Sequence, residues 1–504
     1  MKQKAILFSL ILCLLLGLTA GCGSSAGSGP EMLEGDKDFS ELRSPVSQEA
    51  AYDYRIFFQP AEDDLSQPFV GDPMPYYENG TYYVYYLKEG GDSLRHSVYL
   101  ASTEDFLSYR EYDAPILESG SEGAQDAWIG TGSVVKVRGE YLFFYTGHAA
   151  SASYEFKEKV LVARGSSLTD FVKDESWELA PPAELGQKND FRDPQAYYDE
   201  ASDSIVLTVT ASQNNIARIL KFTLSSDLAE VRYDGVIFTD PTGDFWNLEC
   251  SDTFRLGDYW YLTYSGQDDT LWYAFSDSQY GPYSIPRRLD GKLFYAAKHV
   301  ENGTDSYMVG WARRSEFVTS TDEVSAWAGN LLVQQLGQAD DGTLFLAPPK
   351  SVLDTFTVSR KLPVKGTSCT VKSDAEISYT EAFTAYERFV LTGKFTCTGS
   401  GTFGLAFDYN QDSEAYKWIE LDPDEDLVTL SFNEGSTDIT ATAAVLDPGE
   451  TYSFTYLQEG SVGVFYIDGL AALTVRLYGV SGKAIRFFAE NNSVAFTDLN
   501  EYTN

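Results

Sequence analysis

The chain has 504 residues, of which 43% are hydrophobic and 22% are charged, a composition that can bury a core and excludes a largely disordered or collagen-like chain. Its 75 acidic residues outnumber its 37 lysines and arginines, and the net charge of -38 argues against nucleic acid as a partner because it repels phosphate backbones. Aromatic residues reach 14%, which favours β-structure over helical bundles.

The first 22 residues have the features of a bacterial lipoprotein signal peptide. Two lysines within Met1–Lys4 precede the apolar stretch Ala5–Ala20, which is shorter than the ~20 residues of a membrane-spanning helix. Residues 18–22 (LTAGC) resemble a lipobox, in which Cys22 is acylated and becomes the mature N-terminus. We therefore expect export and a lipid anchor at the extracellular face of the bacterial cell membrane, with simple secretion after cleavage or an uncleaved anchor as the alternatives. The Gly/Ser-rich and acidic segment 23–50 predicts a flexible tether.

A turn followed by an alternating aromatic strand recurs five times between residues 76 and 315. The turns contain Asn79-Gly80, Arg138-Gly139, Ser202-Asp203, Gly257-Asp258 and Asn302-Gly303. Turn residues followed by strands of period two predict β-hairpins. Units of roughly 40–60 residues built from short strands are typical of β-propellers, so we expect an all-β chain with a five-bladed propeller over 51–345. An array of β-sandwiches with coincidental spacing is the alternative.

Beyond Pro348-Pro349 the pattern changes to short alternating strands without the long repeat, which predicts a β-sandwich over 350–504. Export permits a disulfide between Cys369 and Cys397 in this region without requiring one, and Cys250 is predicted to be a small buried hydrophobe. The three histidines are scattered singly and no CxxC pair occurs, so neither a metal nor a cofactor is predicted.

Three carboxylates precede the predicted hairpins at similar distances. Asp72, Asp193 and Glu249 lie eight or nine residues before the turns of the first, third and fourth repeats. Equivalent positions on different blades lie at the same height around one channel, so we expect these acids to converge. A lone Asp-Pro is more often only a turn signal, but a converging pair of carboxylates can hydrolyse a glycosidic bond, one as the acid and one as the nucleophile or base.

The blocks around these acids resemble the motifs of glycoside hydrolase family 32, which contains invertases, levanases and inulinases. Residues 192–194 (RDP) are similar to its RDP motif, 246–265 to its Glu-Cys block, and 72–73 to its first acidic block. The resemblance implies a five-bladed propeller followed by a β-sandwich. It also implies cleavage of β-fructofuranosidic bonds in fructan, fructooligosaccharide or sucrose, without a cofactor.

The same resemblance assigns roles to individual residues. It implies that Asp72 is the nucleophile that forms a covalent fructosyl intermediate, that Glu249 is the general acid and then the general base, and that Asp193 stabilises the transition state. The substrate-binding residues that we predict within the motif blocks are Arg192, Trp128, Trp246 and Tyr295. His96 is interpreted as a polar residue at a strand end.

Several positions depart from the family pattern and bear on substrate preference. Gly71 stands where the family usually has Asn, Leu87 where it has Gln, and Val333-Gln334 where it has Pro-Arg. Residues 71–73 (GDP) by themselves fit family 43 nearly as well, which would mean an arabinan or xylan hydrolase. A non-catalytic carbohydrate-binding lipoprotein and a fructosyl transferase are further alternatives.

Overall fold

The computed structural model describes residues 55–61, 68–89, 96–150, 154–186, 189–314, 326–410, 415–432, 440–478, 480 and 482–504. The predicted signal peptide, Cys22 and the tether lie outside these residues. Strands dominate the described part of the chain, and none of its helices is long and apolar enough to span a bilayer.

The first twenty strands form five antiparallel groups of four. Group 1 consists of β1–β4, at Phe69–Glu78, Thr81–Glu89, Val98–Thr103 and Tyr109–Glu111. Group 2 consists of β5–β8, at Trp128–Val137, Glu140–His148, Glu158–Ser167 and Asp170–Leu179. Group 3 consists of β9–β12, at Phe191–Asp199, Ser204–Gln213, Ile216–Ser225 and Val231–Thr239. Group 4 consists of β13–β16, at Glu249–Leu256, Tyr259–Ser265, Leu271–Ser276 and Arg287–Arg288. Group 5 consists of β17–β20, at Phe294–Glu301, Ser306–Arg314, Ala326–Gln338 and Leu344–Ala347.

The five groups are the blades of a closed propeller. The first strand of each blade contacts the first strand of the next, in the cycle β1, β5, β9, β13, β17 and back to β1. Blades 1 and 5 are joined into one eight-stranded sheet, in which Val70 of β1 pairs with Gly329 of β19. The five-bladed propeller predicted from the repeat is therefore confirmed, and the array of separate sandwiches is wrong.

The hairpin turns explain why the repeat is visible in the sequence. In blade 1, Glu78 pairs with Thr81 across the two-residue turn Asn79-Gly80, and both turn residues have positive φ, at 52° and 90°. Arg138 and Gly139 adopt the same conformation in blade 2. Such turns match the twist of the strands that they join, and Gly and Asn adopt positive φ at the lowest cost.

Every innermost strand carries a β-bulge near its start. The bulges lie between Gly71 and Met74, Gly130 and Gly132, Arg192 and Gln195, Glu249 and Asp252, and Tyr295 and Lys298. The first residue inside each bulge is Asp72, Thr131, Asp193, Cys250 or Ala296. Four of these residues have positive φ, between 41° and 57°. A bulge re-aims a side chain and leaves backbone groups unpaired, which is also why a strand here tolerates proline.

The bulges correct two details of the prediction. Asp72 and Asp193 lie inside innermost strands rather than ahead of the hairpins, because the Asp-Pro pair fits a bulge instead of a turn. Glu249 is not in the same register as these two residues. It occupies the position before the bulge, because Gly257 is the first residue of its hairpin turn whereas Gly80 is the second.

The C-terminal region is a sandwich of two seven-stranded sheets, as predicted. One sheet contains β21, β22, β25, β30, β31, β32 and β34, at Val358–Arg360, Cys369–Lys372, Arg388–Cys397, Tyr452–Glu459, Val462–Ile467, Ala471–Arg476 and Ser493–Thr503. The other contains β23, β24, β26, β27, β28, β29 and β33, at Ser378–Tyr379, Phe383–Thr384, Phe403–Asn410, Ala415–Asp422, Leu427–Phe432, Thr440–Ala443 and Ala484–Ala489. A short helix, α1, at Lys350–Leu353, links propeller and sandwich, and a 3₁₀ turn at Ala183–Leu185 precedes blade 3. The thiols of Cys369 and Cys397 are both free, so the disulfide that export would permit is not formed here.

Polar anchors within a shared apolar core hold the sandwich against blade 5. The Arg476 guanidinium donates hydrogen bonds to the carbonyls of Ala312 and Arg313, at 2.7 and 2.9 Å, and to the side chain of Asn330, at 2.8 Å. Leu332, Leu344 and Val464 are among the apolar residues buried around them. The sandwich therefore braces the two strands, β18 and β19, that lie behind one side of the propeller channel.

Candidate active site

One end of the propeller channel opens into a cavity of about 280 Å³. Six of the seven predicted catalytic and substrate-binding residues line it: Asp72, Trp128, Arg192, Asp193, Glu249 and Tyr295. They come from all five innermost strands, which start at this end. The seventh, Trp246, is 38% exposed and does not line the cavity, but its ring packs 5.2 Å from the Arg192 guanidinium.

Asp72 is held by two donors from other blades. The Thr131 hydroxyl donates to Oδ2 at 2.8 Å, and the Trp311 indole donates to Oδ1 at 3.4 Å. Burial and the nearby charge of Asp193 raise the pKa of Asp72 to about 7, although the Thr131 hydrogen bond opposes this shift. Near neutral pH the carboxyl group is therefore divided between its charged and neutral forms.

Asp193 is fixed more firmly, with 3% of its surface exposed. The backbone N–H of Cys250 donates to its Oδ2 at 2.7 Å, and its own backbone N–H donates to the Thr146 hydroxyl at 2.9 Å. Burial raises the pKa of Asp193, against the opposing effect of the neighbouring Arg192 charge. The backbone of Asp193 is therefore held to blade 2, and its carboxylate cannot reorient without breaking the hydrogen bond from blade 4.

Both carboxylate oxygens of Glu249 accept hydrogen bonds. Arg192 donates to Oε1 at 2.9 Å, and the Tyr295 hydroxyl donates to Oε2 at 2.5 Å. Burial and the Glu249 charge raise the pKa of Tyr295 far above its usual value, so this phenol stays protonated and remains a donor. Glu249 thus has a fixed orientation while part of its side chain faces the cavity.

Arg192 is itself oriented by carboxylates that do not line the cavity. It contacts Asp190 at 3.1 Å and Glu158 of blade 2 at 3.5 Å. Burial opposes ionisation of Glu158, but the hydrogen bond from His148 and the charge of Arg192 lower its pKa to about 2. The carboxylates of Asp190 and Glu158 therefore fix the plane of the Arg192 guanidinium before any ligand binds.

Cys250 is unsuited to nucleophilic chemistry. Burial, together with the charges of Asp72 and Asp193, raises the pKa of its thiol, so the reactive thiolate is suppressed. It is buried, as the sequence predicted.

No group of His, Cys, Asp and Glu that could hold a metal ion occurs among the described residues.

Several cavity residues were missed or misjudged from the sequence. His96, interpreted only as a strand-end residue, lines the cavity, as do His148 and Trp327. No local motif marks Trp327, because it reaches the site through the closure of blade 5 on blade 1. Of the departures from the family pattern, Leu87 lines the cavity, whereas Gln334 is fully buried and donates to Asp290 at the sandwich interface.

A second cavity, of about 350 Å³, lies further along the innermost strands of blades 3, 4 and 5. It is lined by Asp252, His299, Tyr197 and Trp260, among others. Burial raises the pKa of Asp252 to about 6, and burial lowers the pKa of His299 to about 3. This cavity is slightly larger, but it lacks the carboxylates that converge on the first one, so the first is the candidate active site.

Comparison with known proteins points to one family. Residues 66–348 match the model of the glycosyl hydrolases family 32 N-terminal domain. A sucrose-6-phosphate hydrolase from Escherichia coli is 26% identical over 270 residues, which cover 49% of this chain and 54% of that enzyme. The chain thus spans about half the length of the curated relative that it matches.

Solved structures show the same fold. A sucrose-6-phosphate hydrolase from Lactobacillus gasseri has a TM-score of 0.66 at 17% identity, covering 89% of this chain and 93% of that one. A β-fructofuranosidase from Bombyx mori has a TM-score of 0.69 at 17% identity, covering 93% and 97%. An exo-inulinase from Aspergillus awamori has a TM-score of 0.69 at 15% identity, covering 88% and 98%.

Proposed function

Because the chain belongs to glycosyl hydrolase family 32, we propose that it hydrolyses β-fructofuranosidic bonds in fructan, fructooligosaccharide or sucrose with retention of configuration. The observation that carries the proposal is the convergence of Asp72, Asp193 and Glu249 on one cavity. Membership of this family also removes the support for the family 43 alternative. Cleavage by a carboxylate pair needs no cofactor, in keeping with the carboxylate and guanidinium groups that line the cavity.

In the first step Asp72 attacks the anomeric carbon of the fructosyl unit. The bond from that carbon to the leaving oxygen breaks, its electron pair moves to the oxygen, and Glu249 donates a proton there. In the second step Glu249 takes a proton from water, the water oxygen bonds to the anomeric carbon, and the Asp72 carboxylate leaves. Two displacements at one carbon retain its configuration.

The nucleophile of the first step is available at neutral pH. Since the pKa of Asp72 is about 7, a substantial share of this carboxyl group is ionised there and able to attack. Arg192 and Tyr295 hold the Glu249 carboxyl group in place for the transfer. Asp193, fixed by the Cys250 backbone, is placed to accept hydrogen bonds from sugar hydroxyls as charge develops on the ring.

The charges around the cavity favour an uncharged sugar. Three carboxylates line its described wall, and Arg192 is already paired with Glu249 and Asp190. A phosphorylated sugar would meet this negative field without an unpaired guanidinium to receive it. We therefore propose an unphosphorylated substrate for this chain, unlike the substrate in the name of the Escherichia coli relative.

A product assay on the full chain in detergent tests the proposal. Levan, inulin, sucrose, sucrose-6-phosphate and arabinan are incubated with the wild type, Asp72→Asn and Glu249→Gln, and released sugars are quantified. Asp252→Asn removes a buried carboxylate on the same strand as Glu249 but at the second cavity, and serves as the matched control. We expect fructose release by the wild type and the control and at least a 10³-fold loss in both site variants, roughly 4 kcal/mol of transition-state stabilisation.

Other outcomes would redirect the assignment. Pentose release would return the arabinan alternative, and binding without turnover would favour the carbohydrate-binding lipoprotein. A preference for sucrose-6-phosphate would overturn the argument from charge. The anomer of the fructose released first, observed by NMR, distinguishes retention from inversion, and larger fructosyl products in place of free fructose would indicate transfer.

We also propose that the enzyme acts at the outer face of the membrane, held by lipid on Cys22. Support comes from the apolar stretch and lipobox-like residues 18–22 and from the polar tether that follows. Metabolic labelling with a fatty acid, followed by fractionation of cells, tests this. Cys22→Ala should abolish labelling and release the protein from the membrane fraction, whereas unlabelled wild-type protein would contradict the anchor.

A further inference from the structure

Trp327 enters the cavity through a distortion of its own strand. In the pairing of β18 with β19, Arg313 lies opposite Gly329 and Arg314 opposite Ala326, so Trp327 and Ala328 form a bulge outside the ladder. Ala328 is fully buried with φ at 68°, a conformation that costs a residue with a Cβ about 1 kcal/mol or more. Arg314 donates to the Trp327 carbonyl at 2.8 Å and holds the bulge.

On the opposite side of the cavity, Gly71 lacks a side chain and leaves space for the Trp327 indole. A Cβ built on Gly71 would lie closer than 3.0 Å to Cη2, Cζ2 and Cζ3 of Trp327, so any larger residue at position 71 would force the indole to move. Gly71 is next to Asp72 and precedes the bulge of the first innermost strand. The outer edge of the indole therefore rests on the backbone that carries Asp72, and only glycine at position 71 leaves room for it.

Other rings keep the indole in this place. His96 stacks on Trp327 with ring centroids 4.3 Å apart and planes within 6°, and Trp311 meets it edge-on at 6.1 Å. Leu87 and Ile129 line the same cavity. The cavity thus has a polar side around Glu249 and an apolar, aromatic side around Trp327, and Asp72 lies next to the latter.

We propose that Trp327 is a specificity-determining residue of this site. It stacks against the apolar C–H face of the fructosyl unit beside Asp72, and Gly71 is its positioning residue. The inference rests on the proposed function for the identity of the sugar. Sugars present one face rich in C–H groups to aromatic rings, so this side of the site recognises ring shape and the polar side recognises hydroxyls.

The test measures binding apart from turnover. In the full chain carrying Asp72→Asn, the affinity for kestose is measured by calorimetry with Trp327, Trp327→Phe or Trp327→Ala. We expect the alanine variant to bind about 10- to 50-fold more weakly and the phenylalanine variant to recover most of that loss. With Asp72 restored, Trp327→Ala should raise KM by a similar factor and change kcat less.

Gly71→Ala tests the position of the indole separately from its presence, because it keeps Trp327 but fills the space that the indole occupies. We expect a loss of affinity close to that of Trp327→Ala. The double variant should be no worse than either single one, since both changes break the same contact. Additive losses would show that Gly71 acts independently of the indole and would overturn its assignment as a positioning residue.

Trp260→Ala is the matched control, since it removes a partly exposed tryptophan at the second cavity. It should leave kestose affinity and KM unchanged. If Trp327→Ala binds kestose as the parent does while Asp72→Asn and Glu249→Gln abolish turnover, this inference is wrong and the proposed function stands. If the wild type neither binds nor cleaves any fructoside, both are wrong. Should Gly71→Ala fail to fold, the comparison of the three residues at position 327 still decides.

Discussion

The cavity and the propeller–sandwich interface both bury an aspartate and an arginine, but the carboxylates are treated differently. At the interface Asp290 accepts four hydrogen bonds, from the backbone N–H groups of Gly291 and Thr474, the Thr474 hydroxyl and the Gln334 amide. In the cavity Asp72 accepts two hydrogen bonds from the residues that the structure describes. A buried carboxylate whose acceptor sites are filled has no position left for a ligand, whereas one with open acceptor sites is available to a ligand.

Replacing the buried carboxylate of the cavity should have the strongest consequence for activity. Replacing Asp72 with Asn should lower kcat/KM by at least 10³-fold, by about 4 kcal/mol, and yet stabilise the protein. Because the folded-state pKa of Asp72 is raised from 3.8 to about 7, ionising it costs stability progressively as pH rises through that window, and Asn removes the cost. Urea unfolding should show a gain of roughly 1–3 kcal/mol above pH 7 that disappears near pH 4. A gain of equal size at both pH values would contradict the raised pKa.

Replacing Arg476 at the propeller–sandwich interface should have the opposite result, a loss of stability with little change in activity. Arg476→Ala leaves the carbonyls of Ala312 and Arg313 and the side chain of Asn330 without their buried donor. We expect a loss of about 3–5 kcal/mol in unfolding free energy, with kcat of the folded enzyme within a few-fold of the wild type. Chemical denaturation and turnover at low temperature measure the two quantities. Unchanged stability would mean that this anchor contributes nothing.

The pH dependence of kcat/KM tests how burial affects the ionisation of Asp72 in the cavity. Since Asp72 must be ionised to attack, kcat/KM should rise with pH through about 7, roughly tenfold per pH unit below that value. Thr131→Val removes a hydrogen bond that favours the ionised form, so the rise should move to higher pH. Compared with the wild type at the same pH, the Thr131→Val variant should then be severalfold less active at pH 6 and equally active at pH 9. A limb centred near pH 4 in the wild type would contradict the burial argument.

The smallest effect sets the baseline for both regions. Lys394 pairs with Asp498 at 2.8 Å on the exposed face of the sandwich. Water and salt screen exposed pairs of this kind, and so Lys394→Ala should leave both the unfolding free energy and the activity unchanged within the precision of the measurement. A change comparable to that of Arg476→Ala would remove the distinction between buried and exposed ionic contacts on which the comparison rests.

The five bulges show how one backbone device serves different purposes. The bulges of blades 1 and 3 aim Asp72 and Asp193 into the cavity, whereas those of blades 2, 4 and 5 carry Thr131, Cys250 and Ala296. Thr131 binds Asp72, and the backbone of Cys250 binds Asp193. The repeat therefore supplies the geometry, and the residue at each bulge decides whether the bulge itself presents a carboxylate, as in blades 1 and 3, whereas the carboxylate of blade 4, Glu249, comes from the position before its bulge.

The strands, their turns, the number of blades and the motif blocks that contain the candidate catalytic residues could be predicted from the sequence, because these features depend on short-range rules. Period-two alternation and positive-φ turn residues are legible within ten residues of chain. Which side chains surround those acids could not be predicted, because it depends on tertiary packing. Trp327 meets Gly71 and Glu158 meets Arg192 because the ring of blades closes, and the packing of residues so distant in the chain leaves no local pattern to read.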